Sequence, residues 1–451
     1  MRKTRAALLG ILALFLWSSL LQATEYSPNE VIVKFRASHP HAAAMMTGAD
    51  NRPRVIAVDD SDRALVAFKR SEDIEYVEPN YVIEAETLPD DWPYDGQWMD
   101  VGLEKAWGMI AEQGSRKQVI IAVIDSGVDP SHPELQHLIV PGYDFTDNDS
   151  VPHDDTGHGT KVCGIIGARG NNGVGTAGVA WNIDIAIMPL KFMKHDNGKT
   201  TGSLSDAVKA VYYAVDSGVD IINASWGFSS YSRSLEEAIE YARSHGILFI
   251  TSAGNSGQNN DEEEHYPSNY ASDNVIAVTA MHAYGGLADF SNYGIETVHC
   301  AAPGVGLVTT IPGGGYATWV SGTSFATSFV TGVASLVISR SPELSYRSVR
   351  EILLTTTVLD GRYSQRLLES GGCIDAYAAL LAEEALDKTS KTVTGVPLTG
   401  TSESESLPSA ESGGSGGCMV TSVKGSGSSV VLIVCMVVVV LLQVPRQKNL
   451  E

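Results

Sequence analysis

Three short segments hold side chains that could together hydrolyse an acyl bond. In Val123–Asp129 (VIDSGVD) an apolar strand ends in Asp125 and breaks at Ser126–Gly127. In Asp155–Gly159 (DTGHG) His158 stands between glycines ahead of a helical stretch. In Ser321–Thr327 (SGTSFAT) Ser324 opens a helix. Singly, each has an ordinary structural use: a strand-end acid caps a helix, a lone histidine fills a core or surface position, and a serine before a helix is an N-cap. Together they supply a carboxylate to hold an imidazole, an imidazole to take a proton, and a hydroxyl to be activated. The chain order is Asp, His, Ser. The rival Gly-x-Ser-x-Gly elbow is excluded, because Gly322–Ala326 lacks the final glycine and that arrangement runs in a different order.

Such residues need a rigid frame. Val119–Ile124, Asp184–Met188, Asp220–Asn223, Ile247–Thr251 and Val275–Val278 read as buried strands. Ser203–Ser217, Leu235–His245 and Phe325–Ser339 have helical length and periodicity. This alternation predicts an α/β fold: a doubly wound, mostly parallel sheet with helices on both faces. Functional residues then collect at the carboxyl ends of the strands. Ahead of it, residues 24–88 form a small α+β unit. Its expected strands are Glu30–Phe35, Ala64–Phe68 and Tyr81–Ala85, with a short helix over Ser71–Val77. A unit of this size holds little core and must lean on a partner surface.

The whole chain has 451 residues, 43% of them hydrophobic and 19% charged, so most of it can bury a core. A formal net charge of −22 repels phosphate backbones and argues against nucleic acid as a partner. Arg2, Lys3 and Arg5 followed by the apolar run Ala6–Leu21 read as a signal peptide over 1–23, or else as a retained anchor. Both readings send the protein into the secretory pathway. Cys163, Cys300, Cys373, Cys418 and Cys435 lack metal-site spacing. One disulfide among the first three is permitted, and buried thiols are the main expectation. The peptidase-sized unit ends near 386, and a Ser/Thr/Gly-rich stalk covers 387–429. The run Val430–Leu442, extended to a segment over 430–444, is expected to cross a membrane, at the cell surface or in endomembranes. Arg446 and Lys448 place the tail 445–451 in the cytosol, giving a single-pass type I protein, with a secreted form as the alternative.

The three segments, spread over about residues 90–385, resemble those of the subtilase family, its thermitase-like members above all. The resemblance implies a serine endopeptidase acting on polypeptides. Ser324 would be the nucleophile, His158 the general base and then acid, and Asp125 the group that fixes the imidazole. Asn255, in Ser252–Asn255 (SAGN), would donate to the oxyanion with the backbone N–H of Ser324. Ser225–Gly227 (SWG), with Ala253 and Gly254, would bind substrate: the first segment pairs with an extended peptide and walls the first specificity pocket. Trp226 would line an apolar subsite, or else fill the core. Neutral Ser256 implies an uncharged preference in that pocket. Two structural Ca²⁺ sites are implied, one at Asp144, Asp147 and Asp149, the other at Glu134 and Asn172 in and near the loop 170–179. An Asp-rich turn is the plain alternative for the first. The unit 24–88 resembles an inhibitory propeptide, cut near residues 84–91, which makes the chain its own first partner. Departures from the family pattern are Lys161, Cys163 and Ser328–Phe329. They keep a catalytically inactive peptide-binding protein as the alternative function, and a thiol at Cys163 suggests sensitivity to thiol reagents.

Overall fold

The computed structural model describes residues 26–36, 52–85, 101–196, 198–282, 285–358 and 369–394. The expected leader, the segment 86–91, Cys418, Cys435 and the apolar run 430–444 lie outside them. Among the described residues no helix is long and apolar enough to cross a membrane.

The N-terminal unit is built from β1 (Tyr26–Phe35), β2 (Arg54–Ala57), α1 (Ser61–Phe68) and β3 (Ile74–Ala85). Two expectations fail here. Ala64–Phe68 lies in a helix, and the stretch from Ile74 to Val77 belongs to β3. Asp60 caps the helix by accepting from Arg63 N at 2.9 Å. A strand would put Ala64, Val66 and Phe68 on one face. Instead Ala64, Leu65 and Phe68 pack on Val31, Val33, Ile74 and Val77, while Val66 is 56% exposed. That is helical spacing.

The larger unit follows as α2 (Leu103–Gln113), β4 (Val119–Asp125), β5 (Tyr143–Asp144), α3 (His158–Gly167), β6 (Ile185–Lys191), β7 (Met193–Asp196), β8 (Lys199–Ser203), α4 (Leu204–Asp216), β9 (Ile221–Ala224), β10 (Trp226–Gly227), α5 (Arg233–Ser244), β11 (Leu248–Ser252), β12 (Val275–Met281), β13 (Cys300–Pro303), β14 (Leu307–Ile311), β15 (Gly315–Val320), α6 (Thr323–Arg340), α7 (Tyr346–Thr355) and α8 (Ala376–Thr394). The last helix runs past the expected start of the stalk at 387. A 7-stranded sheet has the order β13-β12-β11-β9-β4-β6-β5, and all its pairs are parallel. Its strands are apolar on both faces because a helical layer covers each one. The chain runs from β4 to β5 and β6 on one side, then returns to β9 on the other. The order therefore reverses beside β4, and the crevice of such a sheet opens at the carboxyl ends flanking that reversal. Asp125 is the last residue of β4. Helix α6 is buried on almost every side, as a helix central to a core must be.

Just before β13, His299 carries a pH liability. Its Nδ1 accepts from Ala277 N at 2.9 Å, and burial, with the Arg350 guanidinium adding, pushes its pKa down from 6.5 to about 3. The folded protein therefore holds this ring neutral, while the unfolded chain binds a proton below its ordinary value. The stability this gives is complete above pH 6.5 and is lost as pH falls toward about 3, at up to about 1.4 kcal/mol per pH unit. Urea unfolding at pH 7 and pH 4.5 should show a smaller loss in His299→Gln than in the parent. Equal losses in the two proteins would remove His299 as the cause.

Candidate active site

Asp125 and His158 meet at the crevice, and the His158 ring lies 5.9 Å from that of Phe325, the residue after Ser324; each of the three candidates is carried by a different element. Asp125 ends β4 and is fully buried. Its Oδ1 accepts from Ser126 N and from His158 Nδ1, both at 2.7 Å. A carboxylate only accepts, so Nδ1 carries the proton and Nε2 presents a lone pair. That Nε2 is buried and has no hydrogen-bond partner among the described residues. His158 opens α3, which approaches the β4 turn closely. A Cβ on Gly159 would stand 2.1 Å from Gly127 O, so a glycine must follow the histidine.

Asp154 holds the two segments together, and the sequence reading missed it. It is 2% exposed. Its carboxylate accepts from Ser126 Oγ at 2.8 Å on the β4 side. On the α3 side it accepts from Gly157 N at 2.8 Å, Thr160 N at 2.8 Å and Thr160 Oγ1 at 2.6 Å. The available signal was an acid shortly before a helix start, where N–H groups lack partners.

Ser324 lies in the first turn of α6. Its Oγ donates to Ser225 O at 3.1 Å, and Ser225 Oγ donates to Ser324 O at 2.9 Å. Asn223, on β9, is joined to Ser225 Oγ at 3.0 Å and accepts from Thr331 Oγ1 of α6 at 2.8 Å. The nucleophile helix is thus pinned to the sheet. Asn255 Oδ1 accepts from Thr323 N at 2.9 Å and Thr323 Oγ1 at 3.0 Å. This leaves Asn255 Nδ2 buried, without a hydrogen-bond partner among the described residues, beside the N-terminus of α6. Such a donor can stabilise negative charge developing on a carbonyl oxygen.

The expected binding segments flank this point. Trp226 and Gly227 pair antiparallel with Ala85 and Glu84 of β3, and β3 also pairs with β8. An extended strand of the same chain therefore already lies where a peptide is expected. The Trp226 side chain is not on a subsite wall. It is fully buried, donates from Nε1 to Ile124 O at 2.8 Å and packs on Phe192. Ala253 is buried and its carbonyl accepts from Asn260, while the Gly254 carbonyl accepts from Asn292 N.

The residues expected to hold Ca²⁺ do not fit an ion as arranged. Asp144 Oδ1 already accepts from Thr146 N, Thr146 Oγ1 and Asp147 N. Its Oδ2 faces the ammonium of buried Lys191 at 3.5 Å, and that ammonium also donates to His153 O at 2.9 Å. Asp147 and Asp149 are exposed, where water screens their charges. Lys191 is the cation that this acidic loop requires. At the second site both Glu134 oxygens accept from Asn172 Nδ2, at 3.1 and 3.0 Å, and Oε1 also accepts from Tyr316 OH. Among the described residues no group of three or more His, Cys, Asp or Glu is placed to hold a metal. The thiol expectation also changes. Cys163 is fully buried, and burial, with the Asp125 and Asp154 charges adding, holds it protonated well above the usual thiol range.

A doubly wound parallel sheet with an acid, an imidazole and a helix-borne hydroxyl at its switch point defines a hydrolase frame of the subtilisin kind. The subtilase family model (Peptidase_S8) matches residues 116–394. The thermophilic serine proteinase of Bacillus sp. (strain AK1) is 39% identical over 331 residues, covering 70% of this chain and 79% of that protein. Thermitase of Thermoactinomyces vulgaris is 36% identical over 241 residues, 53% of this chain and 81% of its own. Fervidolysin from Fervidobacterium pennivorans, a keratinolytic enzyme related to subtilisin, matches with a TM-score of 0.65 at 25% identity; the match covers 80% of this chain and 62% of fervidolysin. The chain belongs to the subtilase family and is a subtilisin-like serine protease.

Proposed function

We propose that this protease is an endopeptidase that cuts extended polypeptides with Ser324 as nucleophile, His158 as proton carrier, Asp125 as the group orienting it and Asn255 as oxyanion donor. The observation that carries the reading is the 2.7 Å contact from His158 Nδ1 to Asp125, which leaves a buried Nε2 lone pair with no partner among the described residues. Ser324 Oγ turns from Ser225 O to that nitrogen when substrate enters; catalytic hydrogen bonds commonly tighten only in the complex. Residues 24–88 act as the inhibitory propeptide. Support comes from β3, whose end pairs with β10 and leads straight into the expected cut at 84–91.

The test expresses the full chain beside Ser324→Ala and follows precursor size and N-terminal sequence over time. The parent should cut itself within residues 84–91, and the variant should stay whole. If both stay whole, and the parent cleaves no unfolded protein after separate removal of residues 24–88, the peptide-binding alternative replaces this reading.

A further inference from the structure

We propose that Asn292 is a positioning residue for the reaction: it braces the turn that carries Asn255 against the sheet, and so keeps the Asn255 amide aimed at the point where negative charge develops. The proposal rests on the endopeptidase reading above, in which Asn255 donates to the oxyanion, and adds the residue that holds that donor in place.

The Asn255 side chain is tied at its far end, where Oδ1 accepts from Thr323 N. Its near end is set by the backbone of the turn that follows β11. Ser256, Gly257 and Gln258 of that turn are exposed, so packing gives this half of it little support. The support comes from Asn292, in the connection between β12 and β13. Asn292 N donates to Gly254 O at 2.9 Å, while its Oδ1 accepts from Ser256 N at 2.9 Å and from Gln258 N at 3.1 Å. One residue therefore grips the chain on both sides of Asn255. The approach is close: a Cβ on Gly254, whose φ is +108°, would stand 2.4 Å from Asn292 Nδ2. Only a glycine before Asn255 lets the brace in.

Asn292 is itself fixed, and it is 1% exposed. Its carbonyl accepts from Thr279 Oγ1 of β12 at 2.7 Å, which ties it to the sheet. With Oδ1 accepting two N–H groups, Nδ2 is left to donate, and it does so to Asn260 Oδ1 at 3.0 Å. That contact orients the buried Asn260 amide, whose Nδ2 donates to Ala253 O at 2.8 Å. Ala253 N in turn donates to Val278 O of β12 at 3.0 Å. The two amides thus close a ring of hydrogen bonds from β12 around the turn and back to β12. A donor stabilises developing charge best when it need not move to meet it. An error of about 1 Å in such a position can cost about 10²-fold in rate. Without the Asn292 side chain, water can reach the N–H groups of exposed Ser256 and Gln258, so the fold survives while the aim of Asn255 is lost.

The test is a double-mutant cycle with Asn255. Each protein is made as the full chain, its N-terminal unit is removed by an added protease, and kcat and KM are measured on one peptide amide. Asn255→Ala should lower kcat about 10²–10³-fold. Asn292→Ala should lower it about 10- to 100-fold, with KM within a few-fold of the parent. The double variant should lie within about twofold of Asn255→Ala alone, because the brace then has no donor left to aim. Asn292→Ser, which leaves a smaller gap, should fall between the parent and Asn292→Ala, and it carries the same cycle if the alanine variant does not fold. Losses that multiply in the double variant would mean that Asn292 acts through the fold at large, and they overturn the proposal. So does a loss confined to KM, or a kcat within about twofold of the parent in both Asn292 variants. The endopeptidase reading survives each of these results as long as Asn255→Ala is impaired. If Asn255→Ala cleaves as fast as the parent, the oxyanion role and the brace fall together.

Discussion

Asp125→Asn is expected to lower kcat about 10⁴-fold while KM stays within a few-fold. The carboxylate accepts two hydrogen bonds on one oxygen, from Ser126 N and from His158 Nδ1. An asparagine with its carbonyl in that place keeps both contacts but carries no charge, so it no longer stabilises the imidazolium formed when His158 takes a proton. With the amide reversed, the NH₂ faces both Ser126 N and His158 and can only donate, so the imidazole must carry its proton on Nε2 and cannot take the Ser324 proton. The remaining machinery is untouched, since Asn255 is held by Thr323 and Ser324 by β9 and Ser225. Substrate binding should therefore persist. Because the variant cannot mature itself, its N-terminal unit would be removed by an added protease before steady-state kinetics. A fall of less than tenfold would mean that His158 does not work through Asp125. A large rise in KM would instead point to a disturbed cleft.

How much of this was legible depended on the range of the signal. The strands β4, β6, β9, β11 and β12 could be read because burial on both faces leaves continuous apolar runs between polar turns. The three reactive segments were legible because local geometry marks them: Gly159 must follow His158 to let α3 meet the β4 turn. Ala64–Phe68 was misread because five apolar residues in a row fit strand and helix alike, and only the cap at Asp60 separates the two. Lys191 was invisible as a counter-ion. It ends β6, far along the chain from Asp144, and only the parallel register of β5 on β6 brings the pair together. The same holds for Trp226, whose burial depends on Phe192 and the end of β4. Asp154 had a local mark, an acid ahead of a helix start, but its bridge to Ser126 is a tertiary contact that no periodicity announces.

Glu78→Ala is expected to weaken the hold of the N-terminal unit on the cleaved enzyme by about 10²–10³-fold, the equivalent of about 3–4 kcal/mol for removing a half-buried carboxylate that accepts several hydrogen bonds. Glu78 lies on β3 and caps α5 from outside the helix. Its Oε1 accepts from Ser232 Oγ at 2.9 Å and Ser234 N at 3.0 Å, and also from Ser234 Oγ; Oε2 accepts from Arg233 N at 2.9 Å. These donors belong to the first turn of α5, where N–H groups have no partner within the helix and the dipole favours an anion. Lys34–Glu237, with side chains 17% and 22% exposed, and Asn80 Oδ1 accepting from Ser205 N also cross this interface, while a more exposed pair weighs less. Arg52–Asp216 is an ion pair whose side chains are 31% and 45% exposed, a class worth about 0–1 kcal/mol. The strand pairing of β3 with β8 and β10 fixes register. Removing the Glu78 carboxylate leaves the first-turn N–H groups of α5 without their acceptor, whereas removing Arg52 gives up a screened ion pair and its stacking on Tyr212 and Tyr241. The measurement dilutes the cleaved but undissociated complex and follows the return of activity. Glu78→Ala should release at a concentration about 10²–10³-fold higher than the parent, Glu78→Gln at an intermediate one, and Arg52→Ala within a few-fold of it. If Arg52→Ala shifts release more than Glu78→Ala, exposed charge rather than the α5 cap holds the N-terminal unit on the protease.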